Sequence, residues 1–198
     1  MDWLLIADAE KYVKKVLGND SSGHDYWHCI RVKRLANSIS SLYDCNKDLV
    51  ELASILHDVD DYKIFGNNSH QHLIEFCRLN GVSDMLLDDL IQIIEFLSLD
   101  KIDATVSIES KIVQDADNLD GLGAIGIARM FAFGGANKKN VYNGTEDDSF
   151  SHYYLRLINL PKMMNTDFAR KEAEKRMEVM NYYFERFKME INQGGKNE

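Results

Sequence analysis

The stretch ASILHDVDDYK, residues 53–63, places His57 and Asp58 side by side at the end of an apolar run and follows them with Asp60, Asp61 and Lys63. Carboxylates crowded against apolar surface repel one another and resist desolvation unless a cation or a hydrogen-bond network compensates. Two other segments offer matching groups: His28 in DYWHCIRVKRLANSI and Asp117 in KIVQDADNLDGLGAIGIARMFAF. Taken singly, such a histidine is a core side chain bonded to a carbonyl, and such an aspartate a buried ion pair or a helix cap. Two imidazoles and two carboxylates that all turn inward are better explained by one divalent cation, because oxygen and imidazole nitrogen donors together suit such ions.

The positions follow from helical spacing. Val32, Leu35, Ala36 and Ile39 form a buried stripe, and four residues before Val32 stands His28, with His24 one further turn back. His57 aligns with Val50 and Ala53, and Asp58 follows about 100° around the same helix end. Asp117 shares a face with Val113, Gly121, Ala124 and Ala128, small residues that let a neighbouring helix approach closely.

Apolar residues recur at three and four throughout, and Pro161 is the only proline, so the chain is expected to be all-α. The pattern predicts helices over roughly 2–17, 25–43, 47–58, 69–80, 84–98, 105–132 and 150–159. A last helix, capped at Asn165 or Thr166, carries the stripe Ala169, Ala173, Met177, Met180, Phe184, Phe187 and Ile191. GGANKKNVYNGTEDDS, residues 134–149, is the one long irregular stretch and is expected to serve as a lid.

The whole chain excludes several classes. Its 198 residues, 45% hydrophobic and 28% charged, suffice for one globular domain. A net charge of −9, from 32 acidic against 23 basic residues, argues against nucleic acid and against an anionic membrane surface as partners. Cys29, Cys45 and Cys77 stand singly, without disulfide or zinc-site spacing, which points to the cytoplasm. MDWLLIADAEKYVKKV lacks the basic and apolar regions of a signal peptide, and no segment reaches the roughly 20 apolar residues of a membrane span.

The ordered set His28, His57-Asp58, Asp117 resembles the H…HD…D signature of the HD-domain superfamily of metal-dependent phosphohydrolases. GHDYWHCIRVKRLA, ASILHDVDDYK, QDADNLDGLGAIGIARMFAFGG and HYYLRLINLPKMMNTDFARKEAEKRM are together similar to the small stand-alone bacterial group that includes nucleoside triphosphate pyrophosphohydrolases. The resemblance implies a single-domain helical bundle over residues 1–198, with a motif core at 20–132 and C-terminal helices at 150–191 packed on it. It implies that His28, His57, Asp58 and Asp117 bind one divalent ion, Mn²⁺ by preference, with Mg²⁺, Co²⁺, Ni²⁺, Fe²⁺ and Zn²⁺ as alternatives.

In such enzymes the ion activates water for attack on phosphorus, and Asp61, matching an acidic position after the HD pair, orients that water or takes its proton. Lys63, Arg129 and His24 are the expected phosphate-gripping residues, and His152 is a further substrate contact. The chain departs from its relatives at Leu155 and Arg156, where an acidic-lysine pair is usual, although Arg156 still offers positive charge. Asp60 is expected to be a solvated neighbour, and the His70/His72 pair solvated surface rather than a second metal site. The expected activity is pyrophosphate-releasing hydrolysis of a nucleoside or deoxynucleoside triphosphate by a monomer or homodimer whose partner is the small-molecule nucleotide. A 5′-nucleotidase or other phosphomonoesterase on the same ion, and a non-catalytic nucleotide sensor, are the alternatives.

Overall fold

Polar caps decide where the helices start. Asp25, Asn46, Ser107, Asp148 and Thr166 each accept a hydrogen bond from the backbone N–H three residues on, at 2.8, 3.1, 3.1, 2.7 and 3.2 Å, satisfying donors that a helix start leaves without intrahelical partners. The computed structural model describes residues 3–61, 65, 69–97 and 105–192. Among them are nine α-helices and no strand: α1 (Trp3–Leu17), α2 (Tyr26–Ser40), α3 (Lys47–Leu56), α4 (Gln71–Leu79), α5 (Asp84–Leu97), α6 (Ile108–Asp120), α7 (Gly123–Ala136), α8 (Ser149–Leu155) and α9 (Asp167–Asn192). A 3₁₀ helix over Leu157–Met163 joins the last two.

α2, α3 and α6 pack on one another. Val32, Ala36 and Ile39 of α2, Val50, Ala53 and Leu56 of α3, and Ile112, Val113 and Ala116 of α6 have no exposed surface. Each such side chain removed from water contributes on the order of 1.5–3 kcal/mol for the larger aliphatics, so this three-helix contact fixes the mutual positions of its members firmly. α9 lies across α7 and the 3₁₀ helix, burying Ala169, Ala173, Met177, Met180 and Phe184 as its stripe predicts. No helix among the described residues is long and apolar enough to cross a membrane.

Two expected elements differ from the sequence pattern. The helix predicted over 105–132 is two helices, broken at Gly121 and Leu122. Gly123 adopts φ +73°, and a Cβ there would come within 3.3 Å of the Arg176 side chain, so the turn needs a residue without one. The break resets the helical phase, and Ala124 and Ala128 face solvent instead of sharing the Asp117 face. The helix predicted over 150–159 is α8 followed by the 3₁₀ turn, whose i to i+3 bonding accommodates Pro161.

The expected lid is partly helical, because α7 continues to Ala136, and its remainder is tied down. Asp148 accepts from the Asn143 amide at 2.9 Å, Ser149 and Phe150 donate to the carbonyls of Asn140 and Val141, and the Tyr142 ring packs against Phe150.

Candidate metal centre and adjoining cavity

α2 carries His28 with its side chain fully buried, the turn after α3 carries His57 and Asp58, and α6 carries Asp117. The packing of these three helices brings the four groups to one point. His28 Nε2 lies 3.1 Å from His57 Nε2, 3.2 Å from Asp58 Oδ2 and 3.3 Å from Asp117 Oδ1. His57 Nε2 lies 3.3 Å from Asp58 Oδ1 and 3.8 Å from Asp117 Oδ1.

The far side of each imidazole fixes its orientation. His28 Nδ1–H donates to Asp120 Oδ2 at 2.8 Å, and His57 Nδ1–H donates to the Ser54 carbonyl at 2.9 Å. Both Nε2 atoms are thereby turned to the same space as the carboxylates, the arrangement that metal-ligating histidines use.

Charge decides what fits there. Burial works against a charged His28, and so does Arg129, yet hydrogen bonds to Asp117, Asp120 and Asp58 override both and push its pKa up to about 10. Burial raises the carboxyls of Asp58 and Asp117, but the histidines around them outweigh it and hold both well below the usual range. Asp120, against the same opposing burial, is held down to about 2 by His28, Arg31 and Arg129. The cluster therefore demands positive charge at its centre. A proton on His28 Nε2 can bridge to one acceptor at a time, whereas a divalent ion can meet two nitrogens and two carboxylates together. The donor set fits such an ion.

Asp117 is one-third exposed and faces not a packed helix, as its small-residue face suggested, but a cavity of about 320 Å³. His24, Arg129, His152 and Arg156 line that cavity too, along with Phe133 and Lys139. His24 also donates from Nδ1 to Asp58 Oδ2 at 2.9 Å, which places it against the cluster. Arg129 reaches the Gly23 carbonyl through Nε at 2.8 Å and Asp120 through Nη1 at 3.1 Å. Asp61 lies in the turn that continues from Asp58, its amide donating to the Asp58 carbonyl at 3.2 Å, and it is half-buried. Lys63 lies outside the described residues.

Asp60 is not a solvated neighbour. It is buried, and its carboxylate accepts from the His72 and Leu73 amides at 3.0 and 2.9 Å and from His72 Nδ1 at 2.8 Å. An acid aimed at the first turn of α4 satisfies donors the helix cannot and complements its dipole. His72 is therefore part of a structural clamp and not free surface, and His70 Nε2 meets Glu95 at 3.4 Å.

Sequence spacing alone leaves Asp120 and Arg31 unnoticed. Arg31 donates to both Asp120 oxygens, from Nε at 2.7 Å and from Nη2 at 3.0 Å. The available signal is their spacing: Arg31 stands three residues after His28 and Asp120 three after Asp117, on helices that pack together.

The HD domain family matches residues 26–122. YpgQ of Bacillus subtilis, an uncharacterized protein, is 36% identical over 190 residues, covering 91% of this chain and 90% of that one. A crystal structure of YpgQ in complex with ADP superposes with a TM-score of 0.81 at 34% identity, covering 94% and 95% of the two chains. The crystal structure of an HD-superfamily hydrolase from Bacillus thuringiensis does so with a TM-score of 0.72 at 37% identity, covering 94% and 96%.

Proposed function

The chain belongs to the HD-domain superfamily of hydrolases, and we propose that within it this protein is a metal-dependent nucleotide phosphohydrolase that releases pyrophosphate from a nucleoside or deoxynucleoside triphosphate. The observation that carries the reading is a four-ligand cluster whose Asp117 is also a wall of a cavity rimmed by Arg129, Lys139 and Arg156. A site that joins a divalent ion to several cationic donors matches a polyphosphate, and the ADP found on YpgQ supports a nucleotide as its carrier.

His28, His57, Asp58 and Asp117 would hold the ion. When bound, it supplies a Lewis acid that polarises a phosphoryl oxygen and lowers the pKa of a neighbouring water. The protein's own groups do the rest. His24 and the Ser54 carbonyl keep Asp58 and His57 oriented, so no ligand must reorganise during the reaction. Asp61 accepts the proton of the attacking water as its oxygen bonds to the α-phosphorus and the bond to the bridging oxygen breaks. Arg129 offsets charge on the departing pyrophosphate, Arg156 at the rim adds a binding contact for the polyphosphate, and Phe133 with His152 offers flat surface for a base or ribose.

The test is a screen of purified protein with Mn²⁺ against nucleoside mono-, di- and triphosphates, with both phosphate and pyrophosphate measured. Pyrophosphate from triphosphates is the expected result. Orthophosphate from monophosphates would replace the proposal with a 5′-nucleotidase. Nucleotide binding without turnover across several metals would make the protein a sensor.

A further inference from the structure

Behind the metal centre, on the far side of Asp120, lies a second cavity of about 390 Å³. Arg31 and Arg34 of α2 and Lys175 and Arg176 of α9 line it, together with Asp120 and the start of α7. Four cationic side chains around one hollow are out of keeping with a chain whose net charge is −9. The acids near them are few: Asp120 pairs with Arg31, Asp25 acts on Arg31 without a direct ion pair, and Glu172 lies 3.0 Å from Arg176 and 3.7 Å from Lys175. The Arg34 side chain has no hydrogen-bond or ion-pair partner among the described residues. Among the charged side chains that line the hollow, four cations therefore stand against Asp120 alone.

The nucleotide reading does not use this cavity, because Asp117 is not among the residues that line it. The turn at Gly121 to Gly123 separates the two hollows: Gly121 lines the one beside Asp117, and Leu122 and Gly123 line the other. Arg176 holds this wall in place by donating from Nη1 to the Leu119 carbonyl at 2.6 Å. Asp120 connects the two sides, receiving Arg31 from one and Arg129 and His28 from the other.

We propose that this rear cavity is a second anion site, one that takes a phosphate-bearing small molecule and acts on the metal centre through Arg31 and Asp120. Guanidinium groups favour phosphate because they offer paired donors in a fixed plane, and Arg31 and Arg34, one helical turn apart, present two of them to the same hollow. An anion that draws Arg31 toward itself leaves Asp120 less neutralised. Asp120 then pulls harder on the His28 Nδ1 proton, which makes Nε2 a stronger ligand. Occupancy of the rear site and affinity for the ion therefore rise together, and the coupling must be reciprocal. The coupling rests on the metal centre argued above, whereas the binding does not depend on which substrate is hydrolysed.

The test uses the full-length protein loaded with Mn²⁺, titrated calorimetrically with inorganic phosphate at constant ionic strength in chloride. The double variant Arg34→Glu/Lys175→Glu is compared with the parent, since both side chains are exposed and neither belongs to the metal centre or to the cavity beside Asp117. The parent should show two binding events and the variant one, with metal content, thermal stability and basal hydrolysis preserved. Phosphate should tighten the parent's Mn²⁺ affinity by at least about fivefold more than the variant's, the lower range of ordinary coupling. Equal numbers of events in the two proteins overturn the site. A second event that leaves Mn²⁺ affinity unchanged or lowered overturns the route through Asp120. Neither readout involves nucleotide turnover, so an absence of hydrolysis would count against the function proposed above and not against this site.

Discussion

The metal cluster and the rim of its cavity are neighbours built from opposite materials. The cluster hangs on α2, α3 and α6, whose facing core side chains have no exposed surface, and His28 and His57 each have the second ring nitrogen bonded. The rim comes from α7 at Arg129, the segment after it, α8 and the 3₁₀ turn, and two of its cations, Lys139 and Arg156, are exposed. Geometry that must be held within a fraction of an ångström sits on packed helices, and contacts that only need charge and reach sit on short elements. The contrast predicts a graded response to mutation, steep at the cluster and shallow at the rim.

The steepest response belongs to the turn after α3. Asp58→Ala should lose the ion and all activity together, and because the ion binds only the folded state, the variant should also lose the rise in melting temperature that Mn²⁺ gives the parent. Asp61→Ala should keep the ion and lose about 10²–10⁴-fold in kcat, the usual contribution of a positioned acid or base. Elemental analysis beside steady-state kinetics separates the two. Full metal in Asp58→Ala, or parental kcat in Asp61→Ala, would mean that the roles assigned to the turn are wrong.

One layer out, Asp120→Asn should weaken metal binding by about 10–100-fold, because an outer partner that orients a ligating histidine is worth that much. The same histidine sets a pH dependence. With its pKa pushed up to about 10 by the carboxylates, metal-free His28 is protonated at neutral pH and must release that proton to ligate. Affinity should then rise about tenfold per pH unit from 7 to 9 and fall as pH is lowered. Competition with a chromogenic chelator across that range measures the slope, and the profile of Asp120→Asn should flatten at a lower pH because one acid no longer supports the proton. A flat profile in the parent would show that no proton is displaced.

How far the sequence discloses this division depends on which physical signal each part leaves. The cluster is legible because inward histidines and aspartates break an apolar helical stripe, and the stripe itself reports which way they point. The start of the last helix is legible through Thr166, one of the two caps its pattern offers. The break between α6 and α7 is not, because apolar spacing continues across Gly121 and Leu122, while the extended backbone of Leu122 and the positive φ of Gly123 part the two helices. Asp60 is misjudged for a related reason: besides His72 Nδ1 its partners are the backbone amides of His72 and Leu73, 12 and 13 residues on, and a backbone donor leaves no mark in the sequence. Asp120 and Arg31 are spaced correctly for a pair, but only the packing of α2 on α6 shows that they meet.

Asp60 also offers a control that lies between the two regions, in the same turn as Asp58 but bonded away from the ion. Asp60→Ala would leave the first turn of α4 with buried donors unmet, at roughly 1–3 kcal/mol of stability. Denaturant melts should show that loss, while metal content and kcat per folded molecule stay at the parent's level. Loss of the ion in this variant would tie the α4 clamp to the cluster and dissolve the distinction between Asp58 and Asp60.

At the rim the smallest effect is expected from Arg156→Ala. The side chain is exposed, so its attraction to a phosphate is screened by solvent and salt, and an exposed charged contact contributes about 0.2–1 kcal/mol. That corresponds to a change of up to about fivefold in KM, since about 1.4 kcal/mol is a factor of ten. The kcat should stay near the parent's, because a contact made equally in the bound substrate and in the transition state alters binding alone. Raising ionic strength should shrink the difference between variant and parent, and a salt series of KM values checks it. A drop in kcat as large as that of Asp61→Ala, insensitive to salt, would place Arg156 against the reacting phosphate and make the rim as exacting as the cluster.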